Sequence, residues 1–281
     1  MYRYLDEIGL LTTLIPELIP ARDTTQPIEH VWNVLEHSLN SVIAVEFLLH
    51  RGDWTYVKPD IISNVPWSEK LAAHFEETVS YGSNRRILLK LSALLHDNAK
   101  PQMKAVNEDG KVRFIGHDRE GATISTQILE RLRFSTREIR FVELCIKYHL
   151  RPTQLTQEGL PSRRALYRYF RDTGEAAVDI LFLSLADHLA TRGPLLDLAL
   201  WQEHVKLIEY VLSEYSNKSE VVRPPKLIDG RDLISIFDLQ PGPLIGELLE
   251  LIREANAAGE ISTREEAIHH IENLLKYRTG K

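Results

Sequence analysis

Histidine and aspartate recur in this chain where helices should be buried, and together they offer mixed nitrogen and oxygen ligands for a metal ion. Five predicted helices each carry such a residue into an otherwise apolar stretch: His37, the adjacent pair His96-Asp97, His117, His149 and Asp187. A lone histidine on an apolar face reads as a hydrogen-bonded core imidazole. An aspartate inside LFLSLADHLA is harder to place, because a buried carboxylate without a cation or several donors is strongly unfavourable. His96 and Asp97 are separated by about 100° on a helical wheel, yet at a helix end both can turn towards one ion. Neutral imidazoles with carboxylates suit Mn, Fe, Co, Ni or Zn better than calcium, so these residues make sense together as a metal cage.

The elements that must position them are legible as apolar stripes. Segment 28–50 has helical rather than alternating spacing and places His30, His37 and Ser41 on one stripe. Segment 85–97 is apolar nearly all round, the mark of a buried central helix, and ends on His96 and Asp97. His117 opens a further helix. Ser135 followed by Glu138 forms a capping box that starts another, ending at Arg151-Pro152 with His149 on its apolar face. Helices are predicted at 162–172, 174–191 and 195–216. After the boundary at Ser216–Ser219 and Pro224-Pro225, Pro243 begins a helix ending near Gly259, and Ser262 with Glu265 caps the last one. Residues 53–84 read as an irregular excursion with one helix near 68–79. Asn107-Glu108-Asp109-Gly110 predicts a turn in a short hairpin near 104–115, the one place where strands are expected.

The order His37, then LLHDNAK at 94–100, then LADHLA at 185–190 resembles the H…HD…D signature of the HD-domain metal phosphohydrolases. Within that superfamily, HVWNVLEHSL at 30–39, FIGHDREGA at 114–122, IKYHLRP at 146–152, RRALYRYFRDTGE at 163–175 and LIDGRDLISIFDLQPGPLIGELLELI in the tail are similar to the HD and C-terminal region of bacterial tRNA nucleotidyltransferase/poly(A) polymerase-type proteins. The likeness runs from about residue 1 to 278. It implies an all-α HD-domain helical bundle with a small C-terminal helical tail, the domain at 1–216 and the tail at 217–281. It also implies one divalent ion at His37, His96, Asp97 and Asp187, and, in relatives with two metals, a second ion at His117 and His149 with Asp97 bridging. The ion is one of Mn, Fe, Co, Ni, Zn or Mg. Two departures stand out. Asn98-Ala99 replaces the usual Ile-Gly after the HD pair. No Gly-Ser or Gly-Gly turn followed by an Asp-x-Asp pair is found, so CCA addition by this chain alone is not expected.

A metal-bound water of lowered pKa would make the site a phosphohydrolase acting on a phosphomonoester, nucleotide or cyclic phosphodiester, with Asp97 catalytic and Lys100 stabilising phosphoryl charge or lying on the surface. Arg151 and Arg192, each a few residues from a ligand, are the phosphate-binding candidates. The rival reading is a catalytically reduced tRNA- or RNA-binding module, using the arginine- and tyrosine-rich stretch 151–171. Within that stretch Arg163 and Arg171 read as a solvated helix face. His30 is either an outer support for His37 or a core residue, and His188 is structural.

Bulk properties set the frame. The formal charge of −6 argues against a surface devoted to non-specific nucleic-acid binding. The single cysteine, Cys145, excludes an internal disulfide and a thiolate zinc cluster. No segment approaches the roughly 20 apolar residues of a membrane span, and no basic run precedes an apolar stretch at the N-terminus. A cytoplasmic protein with no membrane partner is expected, and the sequence leaves the oligomeric state open.

Overall fold

Asn84 caps the central helix through its side chain, which accepts the Ile87 N–H, and from Leu91 the chain stays buried as far as Lys100. The computed structural model builds one of its two compact units around this stretch. It describes residues 2–27, 29–56, 59–155, 159–217 and 220–279. The helices are α1 (Tyr2–Glu7), α2 (Leu10–Leu14), α3 (Val34–Leu48), α4 (Glu69–Glu76), α5 (Arg85–Leu95), α6 (Lys100–Met103), α7 (His117–Arg131), α8 (Thr136–Tyr148), α9 (Arg163–Thr173), α10 (Ala177–Arg192), α11 (Leu198–Ser216), α12 (Gly230–Phe237), α13 (Pro243–Ala258) and α14 (Arg264–Thr279). Among the described residues, strands are limited to two antiparallel ribbons, β1 (Thr78–Ser80) with β2 (Ser83–Asn84), and β3 (Ala105–Val106) with β4 (Val112–Arg113). The fold is all-α with a short hairpin at the expected Asn107–Gly110 turn.

The chain divides into two compact units, Met1–Gln154 with Thr173–Glu209, and Leu155–Asp172 with Tyr210–Lys281. Helix α9 thus groups with the tail helices.

In the first unit α3 packs against α5 and α10, α5 against α8, and α8 against α7. The two central helices are enclosed. On α10, Ile180, Leu181, Phe182, Leu183, Leu185 and Leu189 are all buried, each contributing about 1.5–3 kcal/mol of burial free energy. A charge is enclosed with them. Asp179 accepts from Arg85 Nη1 at 2.8 Å and from His74 Nε2 at 3.1 Å, and Arg85 Nε reaches Glu77 at 2.8 Å.

Three local expectations change. Helix α3 begins at Val34 rather than near 28, because the Asn33 side chain accepts the Glu36 N–H at 2.8 Å and its extended backbone stops the helix there. His30 therefore lies in the preceding turn, not on the helix. A second ribbon, β1–β2, occupies part of the segment read as irregular, turning at Tyr81-Gly82 where Gly82 has φ +87. The last helix is capped one residue later than predicted. Thr263 Oγ1 accepts the Glu266 N–H, while the Glu266 carboxylate accepts the Ser262 and Thr263 N–H groups.

The second unit has its own core of Ile228, Leu233, Leu248, Ile252, Ala255, Ile261, Ala267 and Ile271. Here the stretch rich in arginine is neutralised internally. Arg168 holds Glu254 through Nε at 3.0 Å and Nη2 at 2.5 Å, Arg164 reaches Glu254 and Glu260, Arg171 reaches Glu250, and Arg163 Nε donates to the Ala257 carbonyl. Tyr167, Tyr169 and Phe170 are buried. Their rings are therefore not a stacking platform for bases.

Candidate metal centre

Helix α5 stops at Leu95, which lets two consecutive residues face one point. His96 is its C-cap and Asp97 lies in the following turn, with His96 Nε2 3.2 Å from Asp97 Oδ2. His37 comes from the buried face of α3, and its Nε2 lies 3.2 Å from His96 Nε2, 3.4 Å from Asp97 Oδ2 and 3.0 Å from Asp187 Oδ1. Asp187, from the C-terminal half of α10, is 3.8 Å from His96 Nε2 and receives the Thr191 hydroxyl at 3.3 Å. Adjacent ligands held about 2.1 Å from one ion stand about 3.0–3.4 Å apart, and most of these separations match.

A second group shares Asp97. Its Oδ1 lies 3.4 Å from His117 Nε2 and 4.0 Å from His149 Nε2. His117 is the first residue of α7, where Gly116 enters at φ +83, and His149 is the C-cap of α8. Every residue of the expected ligand set thus converges, with His37, His96 and Asp187 forming one potential metal-binding group and Asp97, His117 and His149 another.

The histidines are oriented for this. The Nδ1–H of His96 donates to the Ala93 carbonyl at 2.9 Å, that of His117 to Phe114 at 2.6 Å and that of His149 to Ile146 at 2.6 Å. Each bond fixes the tautomer that leaves the Nε2 lone pair facing the centre. His30 packs its ring edge-on against His37 at 5.3 Å between centroids.

The donor set fits a cation. Asp97 Oδ1 and His117 Nε2 are buried without a hydrogen-bond partner among the described residues, while Asp97 Oδ2 has only its ion-pair neighbours, an arrangement that a divalent ion would satisfy. Charge is already felt there. Burial opposes charging His96, but Asp97 and Asp187 outweigh it and push its pKa up to about 10. Burial would raise both carboxylates, yet His96 and Lys100 hold Asp97, and His37 and His96 hold Asp187, well below the usual range. Burial, then His96 and His117, lower His149 to about 4.

Lys100 is not a surface residue. It is 7% exposed, with Nζ 2.6 Å from Asp97 Oδ2, 2.7 Å from Gln26 Oε1 and over the Phe114 ring at 5.5 Å. Arg151 is half-buried in the turn after α8. Arg192 is the half-buried last residue of α10, and its charge helps to lower the His188 pKa after burial has done so. His188 itself stacks on His204 at 5.1 Å, as a structural residue does. Cys145 is buried. Among the described residues no helix is long and apolar enough to cross a membrane.

Sequence reasoning missed Gln26 and Thr191, which touch the cluster through Lys100 and Asp187, because neither lies in a motif. It noted Asn98 only as a departure. Asn98 is buried, and its Nδ2 donates to Ser125 Oγ of α7 at 2.9 Å.

Residues 122–271 match the family described as tRNA nucleotidyltransferase domain 2. The chain is 31% identical over 277 residues to the A-adding tRNA nucleotidyltransferase of Deinococcus radiodurans, covering 98% of this chain and 54% of that protein. It is 30% identical over 284 residues to the CC-adding tRNA nucleotidyltransferase of Thermus thermophilus, covering 99% of this chain and 53% of that protein. The chain spans about half the length of these relatives. They overturn the expectation of an HD-type phosphohydrolase, since their names record nucleotide addition to tRNA and not hydrolysis. The physical reason is that a cage of imidazoles and carboxylates selects an ion without selecting the bond to be made or broken. With its family match extending over more than half the chain, the protein belongs to the tRNA nucleotidyltransferase domain 2 family.

Proposed function

We propose that this chain is a tRNA-binding helical module related to the CC- and A-adding enzymes, and that its His/Asp cluster is a divalent-metal centre of the HD type. One observation carries the reading: similarity to an A-adding tRNA nucleotidyltransferase runs along 98% of the chain while covering 54% of that protein. The part proposed for it is to hold RNA, because the two relatives similar along nearly the whole chain are named for adding nucleotides to tRNA.

His37, His96, Asp187 and Asp97 would hold one ion, and Asp97, His117 and His149 would hold a second. The donor chemistry suits Mn, Fe, Co, Ni or Zn, with Mg as the remaining choice. When bound, such an ion neutralises two carboxylates and adds Lewis-acid character. The protein's residues meanwhile tie α3, α7, α10, the end of α5 and the end of α8 to one point. Arg151 and Arg192 contact phosphates of the bound tRNA.

Fluorescence anisotropy with a labelled tRNA lacking its 3′-terminal nucleotides tests this. Saturable binding is expected, weakening by at least tenfold between about 50 and 200 mM salt as phosphate contacts are screened. No binding at the lower salt would overturn the reading.

A further inference from the structure

We infer that Asn98 is a positioning residue whose tether to α7 determines whether the second ion is held; the inference rests on the two-ion centre proposed above. His117, Gly121 and Ser125 lie at i, i+4 and i+8, one stripe of α7, and all three are buried. Asn98 follows Asp97 directly and lies along that stripe. Its Nδ2 donates to Ser125 Oγ at 2.9 Å, and its Oδ1 sits 2.9 Å from where a Cβ on Gly121 would stand. Only glycine lets the amide approach the helix so closely. The same Cβ would also meet the His96 carbonyl oxygen and Ile146 Cγ2, each at 3.5 Å. Ile146 also supplies the carbonyl that orients His149.

The amide therefore bonds the turn carrying His96 and Asp97 to the helix carrying His117, two turns along that helix from the histidine. His149 Nε2 stands 4.0 Å from Asp97 Oδ1, wider than any spacing quoted for the first group, where the longest is 3.8 Å, so the second group has less slack to lose. The first group draws on α3, α10 and the end of α5, and none of its ligands lies on α7. Loosening α7 separates the two ions: the first stays and the second leaves.

The test is titration of chelator-stripped protein with Mn(II), counting bound ion by electron paramagnetic resonance, for wild type, Asn98→Ala, Ser125→Ala, Gly121→Ala and the Asn98→Ala/Ser125→Ala pair. Wild type is expected to bind two equivalents and to show the broadened signal of a coupled pair. Each variant should keep the first equivalent within about threefold of wild-type affinity, weaken the second at least tenfold and lose the coupled signal. The double variant should lose no more than either single one. Ser125→Ala removes one hydroxyl and carries the test should Asn98→Ala fail to fold. Wild type binding two ions and Ser125→Ala binding both equally well would overturn the role of Asn98 while leaving the centre intact. Wild type binding fewer than two would overturn the two-ion centre itself, and the inference with it.

Discussion

His96 Nε2 and Asp97 Oδ2 lie 3.2 Å apart although the two residues are consecutive. Inside a helix they would diverge by about 100°. Ending α5 at Leu95 brings them together, so the termination of that helix is itself part of the site.

The His96 ring carries a proton in the absence of metal, and its pKa is pushed up to about 10 by Asp97 and Asp187 against burial. Its stabilising contribution is complete below the unfolded value near 6.5 and fades as pH rises through about 10. An ion needs the neutral ring, so binding must expel that proton. Ion affinity should rise by about tenfold per pH unit between pH 7 and 9, measured by calorimetric titration. Affinity independent of pH would contradict the assignment of His96 as a ligand.

Asp179 is buried against Arg85 and His74. Asp179→Ala leaves the Arg85 charge in the core without this partner and should cost about 3–5 kcal/mol, read from urea unfolding. The ions should still bind, because none of the cluster residues bonds to Asp179. A loss below about 1 kcal/mol would show that Glu77 alone satisfies Arg85.

His204 is buried, hydrogen-bonded to Ser184 at 3.1 Å, and lowered to about 4, first by burial and then by His188. The folded protein resists a proton that the unfolded chain accepts below about 6.5, so stability should fall as pH drops from 6.5 to 4. The full effect is about 3 kcal/mol. His204→Asn should flatten that part of the pH profile of urea midpoints, and an unchanged slope would exclude His204 as its source.

Arg168 is bound to Glu254, and its half-exposed side chain is screened by solvent. Arg168→Ala should lower stability by about 1 kcal/mol or less and change tRNA affinity by less than about twofold. A tenfold loss of tRNA affinity would restore this stretch as an RNA contact.

The parts visible in the sequence were those with local signatures. Apolar stripes located α5, α7, α8 and α10, and the Ser135–Glu138 capping box lies where predicted. Each ligand interrupted an apolar run, so the cluster could be assembled before its geometry was known. What escaped were relations between distant residues. Arg164, Arg168 and Arg171 find acids 79 to 96 residues further along, so the run looked unbalanced. Asn98 and Ser125 are 27 residues apart and carry no motif. The start of α3 was misplaced because Val31 and Val34 continue an apolar spacing that the Asn33 cap cuts. The hydrolytic expectation failed for another reason, since a ligand set does not encode a reaction.

The most direct test of the metal centre is elemental analysis of purified wild-type and Asp97→Asn protein after equilibration with a mixture of divalent ions and desalting. Asp97 is the residue both groups share. The account predicts one to two equivalents of a transition metal per chain in the wild type, and less than about a tenth as much in the folded variant, as expected when a bridging carboxylate is lost. A metal-free wild type, or equal metal in the two proteins, would contradict it.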